Sequence, residues 1–176
     1  FTKSGAGILL LSGTHTYDGD TTISEGTIVL TGALNSATDM IISDGATWDL
    51  RVSHVINSLD LDGTISNGAG SSNLTVTNTS DIGGNITTSG AQTYTGAVTL
   101  SADSTLETTN ANILFSSTID GNGNGGYLTI SVGSGSATFN DAIGSTTAIN
   151  KLEVNSSGGV LVNGNITLSD SGISLG

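Results

Sequence analysis

The sequence predicts an all-β chain, a right-handed parallel β-helix (β-solenoid) with roughly three short strands per coil. Three observations lead there. Roughly twenty short aliphatic pulses recur at intervals below the 8 to 12 residues of a β-sandwich, so the chain must turn a corner every few residues. The residues between pulses are mostly Thr, Ser, Asn and Gly, and strong helix formers are scarce. The chain also repeats itself: SGTHTYDGDTTISEGTI at residues 12–28 returns as SGAQTYTGAVTLSADSTL at residues 89–106. The offset is 89 − 12 = 77 with no gap, and it aligns Gly13 with Gly90, Thr16 with Thr93, Tyr17 with Tyr94, Gly19 with Gly96, Thr22 with Thr99 and Ile23 with Leu100. Repeats of this kind mark stacked units instead of one globular core. Such a chain of 176 residues accommodates seven or eight coils, read as one solenoid segment over residues 1–176. It opens without Met and in mid-pattern, as a piece of a longer repetitive chain or polymer would.

In chain order, Ile8–Leu11 is an aliphatic run bounded by Gly5, Gly7 and Gly13 and reads as a buried strand. Asp18, Gly19 and Asp20 form a turn signal before Thr21–Ile23, and residues 27–31 follow with Ile28 and Leu30 on one face. The same rhythm gives strands at 40–43 and Thr47–Leu50. Val52, Val55, Ile56 and Leu59 fit helical spacing, but Gly63 and the lack of an Ala, Glu or Lys run favour a strand, with Val55, Asn57, Leu59 and Leu61 sharing a face. Residues 63–73 are rich in Gly, Ser and Asn and read as a protruding loop, after which Leu74 and Val76 resume the alternation. Ile82, Ile86, Val98, Leu100, Leu106, Ile113 and Phe115 continue the pulse up to DGNGNGG at 120–126, the most turn-rich stretch of the chain. Leu128, Ile130, Val132, Phe139, Ile143, Ile149, Leu152, Val154 and further aliphatic pulses from Val160 to Leu175 complete it. Aliphatics at alternate positions point inward, Thr and Ser outward, and Gly or Asn takes the corner conformations that other residues resist.

The net charge of −12, with three Lys and Arg in all, argues against nucleic acid and anionic membrane surfaces as partners, because nothing neutralises phosphates. The longest apolar run, Ile8–Leu11, is far too short to span a bilayer. With no Cys there is no disulfide framework, thiolate metal site or thiol nucleophile. Charged residues are 10 % of the chain, which is low for a soluble domain, so its polar surface is built from hydroxyls and carboxamides.

Residues 1–32, FTKSGAGILLLSGTHTYDGDTTISEGTIVLTG, resemble the passenger-associated repeat of bacterial autotransporters. They carry its Thr-Lys-x-Gly-x-Gly opening, an aliphatic run, then Ser-Gly-x-x-Thr-Tyr-x-Gly-x-Thr-x-Ile and Gly-Thr-Ile-x-Leu. Residues 45–65 are similar to the segment that usually follows that repeat, and the chain from Gly84 is similar to repeats of large filamentous-haemagglutinin-like adhesins. The resemblance implies a β-helical stalk exported through the outer membrane, extracellular or on the bacterial cell surface, and built into a fibre or displayed.

Candidate chemistry is sparse. Asp120, Asn122 and Asn124, with Gly125 at the sharp turn, form the front half of a D-x-[DN]-x-[DN]-G calcium loop, which makes calcium the candidate metal. Ser131 stands where that loop has its bidentate Glu, and a plain glycine-rich corner is the competing reading. Asp18 with Asp20, and Asp60 with Asp62, are carboxylates at i, i+2 that share a strand face and fit an acid/base pair, a cation clamp or solvated turns. Lys3, Arg51 and Lys151 are scattered and offer no cluster against developing negative charge, and His15 and His54 read as surface histidines. Thr14/Thr16, Thr75/Thr77 and Thr93/Thr95 are Thr-x-Thr pairs of the kind that order water on ice-binding faces, yet outward β-branched residues are also good strand formers. Tyr17 and Tyr94, at one repeat position, fit either sugar stacking or a structural role, and the sequons at Asn73, Asn85 and Asn165 follow from composition.

The expectation is therefore a non-enzymatic structural module without a cofactor. It serves as a stalk or fibre segment of a secreted bacterial surface protein, with an adhesive role, meeting other copies or adjoining coils end to end and glycans or proteins of a host or neighbouring cell. A carbohydrate-binding or carbohydrate-active β-helix is the alternative, and an ice-binding solenoid a lesser one.

Overall fold

The computed structural model describes residues 1–176, residue 171 by its backbone alone, and shows 22 strands joined by corners. Every strand pair is parallel, and the strands lie in three sheets of seven, nine and six. The chain visits these faces in a fixed order. Leu59–Leu61 lies on the first, Thr64–Ser66 on the second and Ser71–Val76 on the third, and Ser80–Ile82 returns to the first. One circuit is a rung, and the nine-stranded second face counts nine of them. That exceeds the seven or eight coils expected from the sequence, because the early circuits are more compact than an even division suggests. The first two cross the third face with an isolated bridge, Thr14 to Ala33, in place of a strand.

Period-two alternation decides what is inside. On the first face Ile23, Ile42, Leu61, Ile82 and Leu100 stack in one inward column. On the second, Leu9, Ile28, Trp48, Ile65, Ile86, Leu106, Ile130, Val154 and Leu175 run the whole length. The third face carries Ile56, Val76, Tyr94, Phe115, Phe139 and Val162. Strands about 4.8 Å apart place like side chains directly above one another. The three aromatics accordingly stack at centroid distances of 5.0 and 5.3 Å, with interplanar angles of 12° and 4°. Each such pair adds about 0.5–1.5 kcal/mol beyond the area it buries.

The first-face column explains the repeat. From Ile23 the ladder steps through Ile42, Leu61 and Ile82 to Leu100, so four rungs advance the numbering by 100 − 23 = 77, which is the offset between the two copies. Both copies thus hold the same place on the circuit, four rungs apart. Corners demand glycine where backbones meet. A side chain at Gly84 would run into the carbonyl oxygen of Gly63 one rung below, and Gly26, at φ +74°, turns in the left-handed region that other residues resist.

Two local expectations also change. The strand expected around Val55 is present as Val52–Ile56, but His54 and Ile56 are buried and Val55 points outward, 40 % exposed. A corner at Asn57 and Ser58 shifts the alternation, so Leu59 and Leu61 are inward on the next face while Val55 is not. Residues 63–73 do not protrude, since most of them lie in Thr64–Ser66 and Ser71–Val76. The short corner between is held by Asn67, whose amide donates to Leu50 O at 2.7 Å and to Ser72 Oγ at 2.9 Å.

Candidate functional site

The glycine-rich stretch at 120–126 is split between strand and corner. Asp120 belongs to Ile119–Gly121, with its side chain outward, and its Oδ1 accepts from Thr146 N at 2.7 Å and Thr147 N at 3.2 Å in the next rung. Asn122 Oδ1 accepts from Asn124 N at 2.9 Å, and Asn122 Nδ2 donates to Ser101 O at 3.3 Å. Gly123 and Gly125 make the turn at φ +94° and +79°. Two of the three candidate calcium ligands therefore already spend an oxygen on backbone N–H groups, and Asn124 lies within the corner itself. No group of three or more His, Cys, Asp or Glu placed to hold a metal ion occurs among the described residues.

The paired carboxylates differ from one another. Asp18 and Asp20 are exposed. Asp60 pairs in register with Asp81 on the outward side of the first face, and its carboxyl is pushed above the ordinary value, first by burial and then by the charges of Asp62 and Asp81. Asp39 moves the other way. Hydrogen bonds from the Ser58 hydroxyl and the Asn57 amide, both at 2.7 Å, hold it below the usual carboxylate range.

All three basic side chains are engaged. Lys3 is 8 % exposed and ends the inward column of the first face, where its Nζ donates to the carbonyls of Ser4, Gly5 and Glu25. Arg51 pairs with Asp49 at 2.7 Å, and Lys151 with Glu153 at 2.7 Å. Neither histidine is a plain surface residue. His15 is half-buried with Nε2 enclosed. His54 is 9 % exposed and meets Trp48 edge-on at 6.3 Å, because the corner after Ile56 turns its strand position inward; burial pushes its pKa down. Trp48 Nε1 and His54 Nε2 are both buried without a protein partner.

The repeat-position tyrosines are structural. Tyr94 is fully buried and donates to Gln92 Oε1 at 2.9 Å, and Gln92 Nε2 donates to Glu107 O at 2.9 Å; burial pushes the phenol far up. Tyr17 is half-buried, stacks on Phe1 at 5.6 Å and shares a hydrogen bond with Thr21 Oγ1 at 2.9 Å. Of the Thr-x-Thr pairs, Thr75 and Thr93 are in register on the third face. A longer column lies elsewhere, with Thr27, Thr47 and Thr64 consecutive on the outward second face and Asn85 next. Among the sequons, Asn73 Oδ1 accepts from Ala91 N at 2.8 Å and Asn85 Oδ1 from Thr105 N at 2.9 Å, so both carboxamides tie neighbouring rungs together.

Tyr127, Lys151, Asp170 and Gly172 line a surface cavity of about 360 Å³ that no sequence motif announces. They come from three rungs, and only the pairing register brings them together.

No curated protein and no solved structure matches the chain. The family model described as the passenger-associated-transport-repeat matches residues 1–30, which hold the buried Lys3 and the first strands of the first two faces. Residues 1–30 are thus similar to a passenger-associated-transport-repeat and, with the parallel solenoid they open, fit the β-helix of an autotransporter passenger.

Proposed function

We propose that this chain is a non-enzymatic stalk or fibre segment of a passenger displayed outside the bacterial cell, working through its shape. The observation that carries the reading is the unbroken second face, nine parallel strands with one continuous inward column. Continuous backbone ladders along one axis make a stiff rod, since each rung is held by the rungs on either side. At about 4.8 Å per rung the nine rungs span roughly 40 Å. The engagement of Lys3, Arg51 and Lys151 supports the non-enzymatic part, because no basic side chain is left free to meet negative charge in a transition state. Ile8–Leu11 and Leu168–Leu175 each have one unpaired edge, the template on which further rungs of the same kind add end to end. The adhesive role belongs to partners reached along this rod.

The test is replacement. In a surface-displayed passenger, this segment is exchanged for an unrelated β-solenoid of equal rung number. Surface display and reach are retained if the segment is a spacer. Their loss, with the exchanged rod folded and exported, would overturn the reading.

A further inference from the structure

We propose that the cavity at Tyr127, Lys151, Asp170 and Gly172 is a binding site for a neutral glycan. The assignment does not depend on the stalk reading, since it concerns a side face of the rod. Three features build the site. Tyr127 and Lys151 are register partners on the outward side of the second face, and Lys151 is in turn paired with Gly172. Tyr127 is 41 % exposed, which leaves an aromatic surface of apolar body and polar tip open to solvent. Gly172 carries no side chain in the outward row, and this lets the Lys151 stem lie close over its backbone. A Cβ there would meet the Lys151 stem at 3.0 Å (Cγ) and 3.3 Å (Cδ).

A bulge adds to these three. The ladder jumps from the pair Ile149 and Leu168 to the pair Lys151 and Gly172, so the last strand advances by four where its partner advances by two. Bulges of this kind re-aim side chains, and here the extra length brings Asp170 to the wall of the cavity.

The chemistry selects the ligand class. About 360 Å³ falls within the 300–1,000 Å³ of ordinary ligand sites. The tyrosine ring offers a flat apolar face for the C–H side of a sugar ring, the Asp170 carboxylate accepts from hydroxyls, and the Lys151 ammonium donates to them. An anionic sugar is disfavoured twice. Lys151 already carries Glu153 at 2.7 Å, and the chain has a net charge of −12.

The experiment titrates the 176-residue chain with neutral gluco-, galacto- and manno-oligosaccharides, and with sialylated oligosaccharides as the anionic arm, by calorimetry and amide chemical-shift mapping. At least one neutral series binds, with shifts centred on Tyr127 and Lys151. Tyr127→Ala and Gly172→Leu each weaken it at least tenfold, and Asp170→Asn weakens it less. Circular dichroism should be unchanged for Gly172→Leu, because its Cβ crowds only the flexible Lys151 stem, which swings aside and leaves its place beside Tyr127. Absence of binding across the neutral set, equal or tighter binding of the sialylated set, or binding insensitive to Tyr127→Ala and Gly172→Leu would each overturn the assignment. None of these outcomes bears on rod length or display.

Discussion

Between Ile23 and Leu100 four rungs advance the numbering by 100 − 23 = 77, about 19 each, whereas the single rung from Ile119 to Ile143 takes 143 − 119 = 24 and the next, to Ile166, takes 166 − 143 = 23. The two regions share the second face, whose ladder runs through both, whereas on the first face strand pairing ends at Ile119–Gly121 and single bridges to Ile143 and Ile166 carry the later rungs; the added length lies in the corners. In the early region corners are short, and glycines let backbones touch, as at Gly84 over Gly63. In the late region extra residues form the 121–126 turn and the 143–148 segment that Asp120 ties down. The bulge before Gly172 adds further length there. The ladder tolerates added length at its corners because the second-face column runs on through both regions, although the first-face column of Ile23 to Leu100 ends at Gly121. The regular half therefore reads as rod, and the irregular half is where a rod acquires surface features.

The largest effect that would break this comparison is a charge in the shared column. Leu100→Asp puts an unpaired carboxylate into a fully buried position of the regular half, at a cost of several kcal/mol, and should abolish the cooperative melt seen by circular dichroism. A wild-type melt would mean that the column is not a core. Next comes Phe115→Ala, which removes the middle ring of the late aromatic stack. It should cost about 3–5 kcal/mol in denaturant unfolding, more than Ile→Val changes in the early column at about 0.5–1.5 kcal/mol. A cost within the Ile→Val range would show that the stacked rings are not part of the packed core.

A smaller effect sharpens the early region. His54 has a folded pKa below its ordinary 6.5 because it is buried, so the unfolded chain binds the proton more readily. Its contribution is complete above pH 6.5 and is lost as pH falls from there through the depressed folded value. His54→Gln should flatten that slope in a melting series. The fluorescence of Trp48, the only tryptophan, reports the same step, because the two rings meet at 6.3 Å. A melting temperature that falls equally in both proteins would show that His54 does not set the slope. The smallest expected effect is in the late corner. Chelation of calcium leaves the melting temperature unchanged, since Asp120 and Asn122 already hold backbone N–H groups, and a drop of several degrees would place a metal at that turn.

Alternation of aliphatic and polar residues was legible, and it was enough for the parallel solenoid, because inward position follows parity within any one strand. What parity does not carry is the corner. Asn57 and Ser58 reset it, and this is why Val55 lies outside and His54 inside. The Asp120 motif had legible spacing, but the strand ending at Gly121 cuts through it and turns its first ligand toward a neighbouring rung. The cavity was illegible for a related reason. Tyr127, Lys151 and Gly172 are each a full circuit apart along the chain, and their meeting depends on a register that includes a bulge. The tyrosines that did stand out, Tyr17 and Tyr94, are spent on structure.

If the stretch from Ile23 to Leu100 is four interchangeable rungs of a rod, those rungs can be removed together. Deleting residues 24–100 joins Ile23 to Ser101, two neighbours that keep the same place on the circuit because Leu100 occupies the position of Ile23. Small-angle scattering and circular dichroism of the shortened chain should show a folded all-β particle shorter by four rungs, about 19 Å. An unfolded chain, or a folded one of unchanged length, would refute the interchangeability of the rungs.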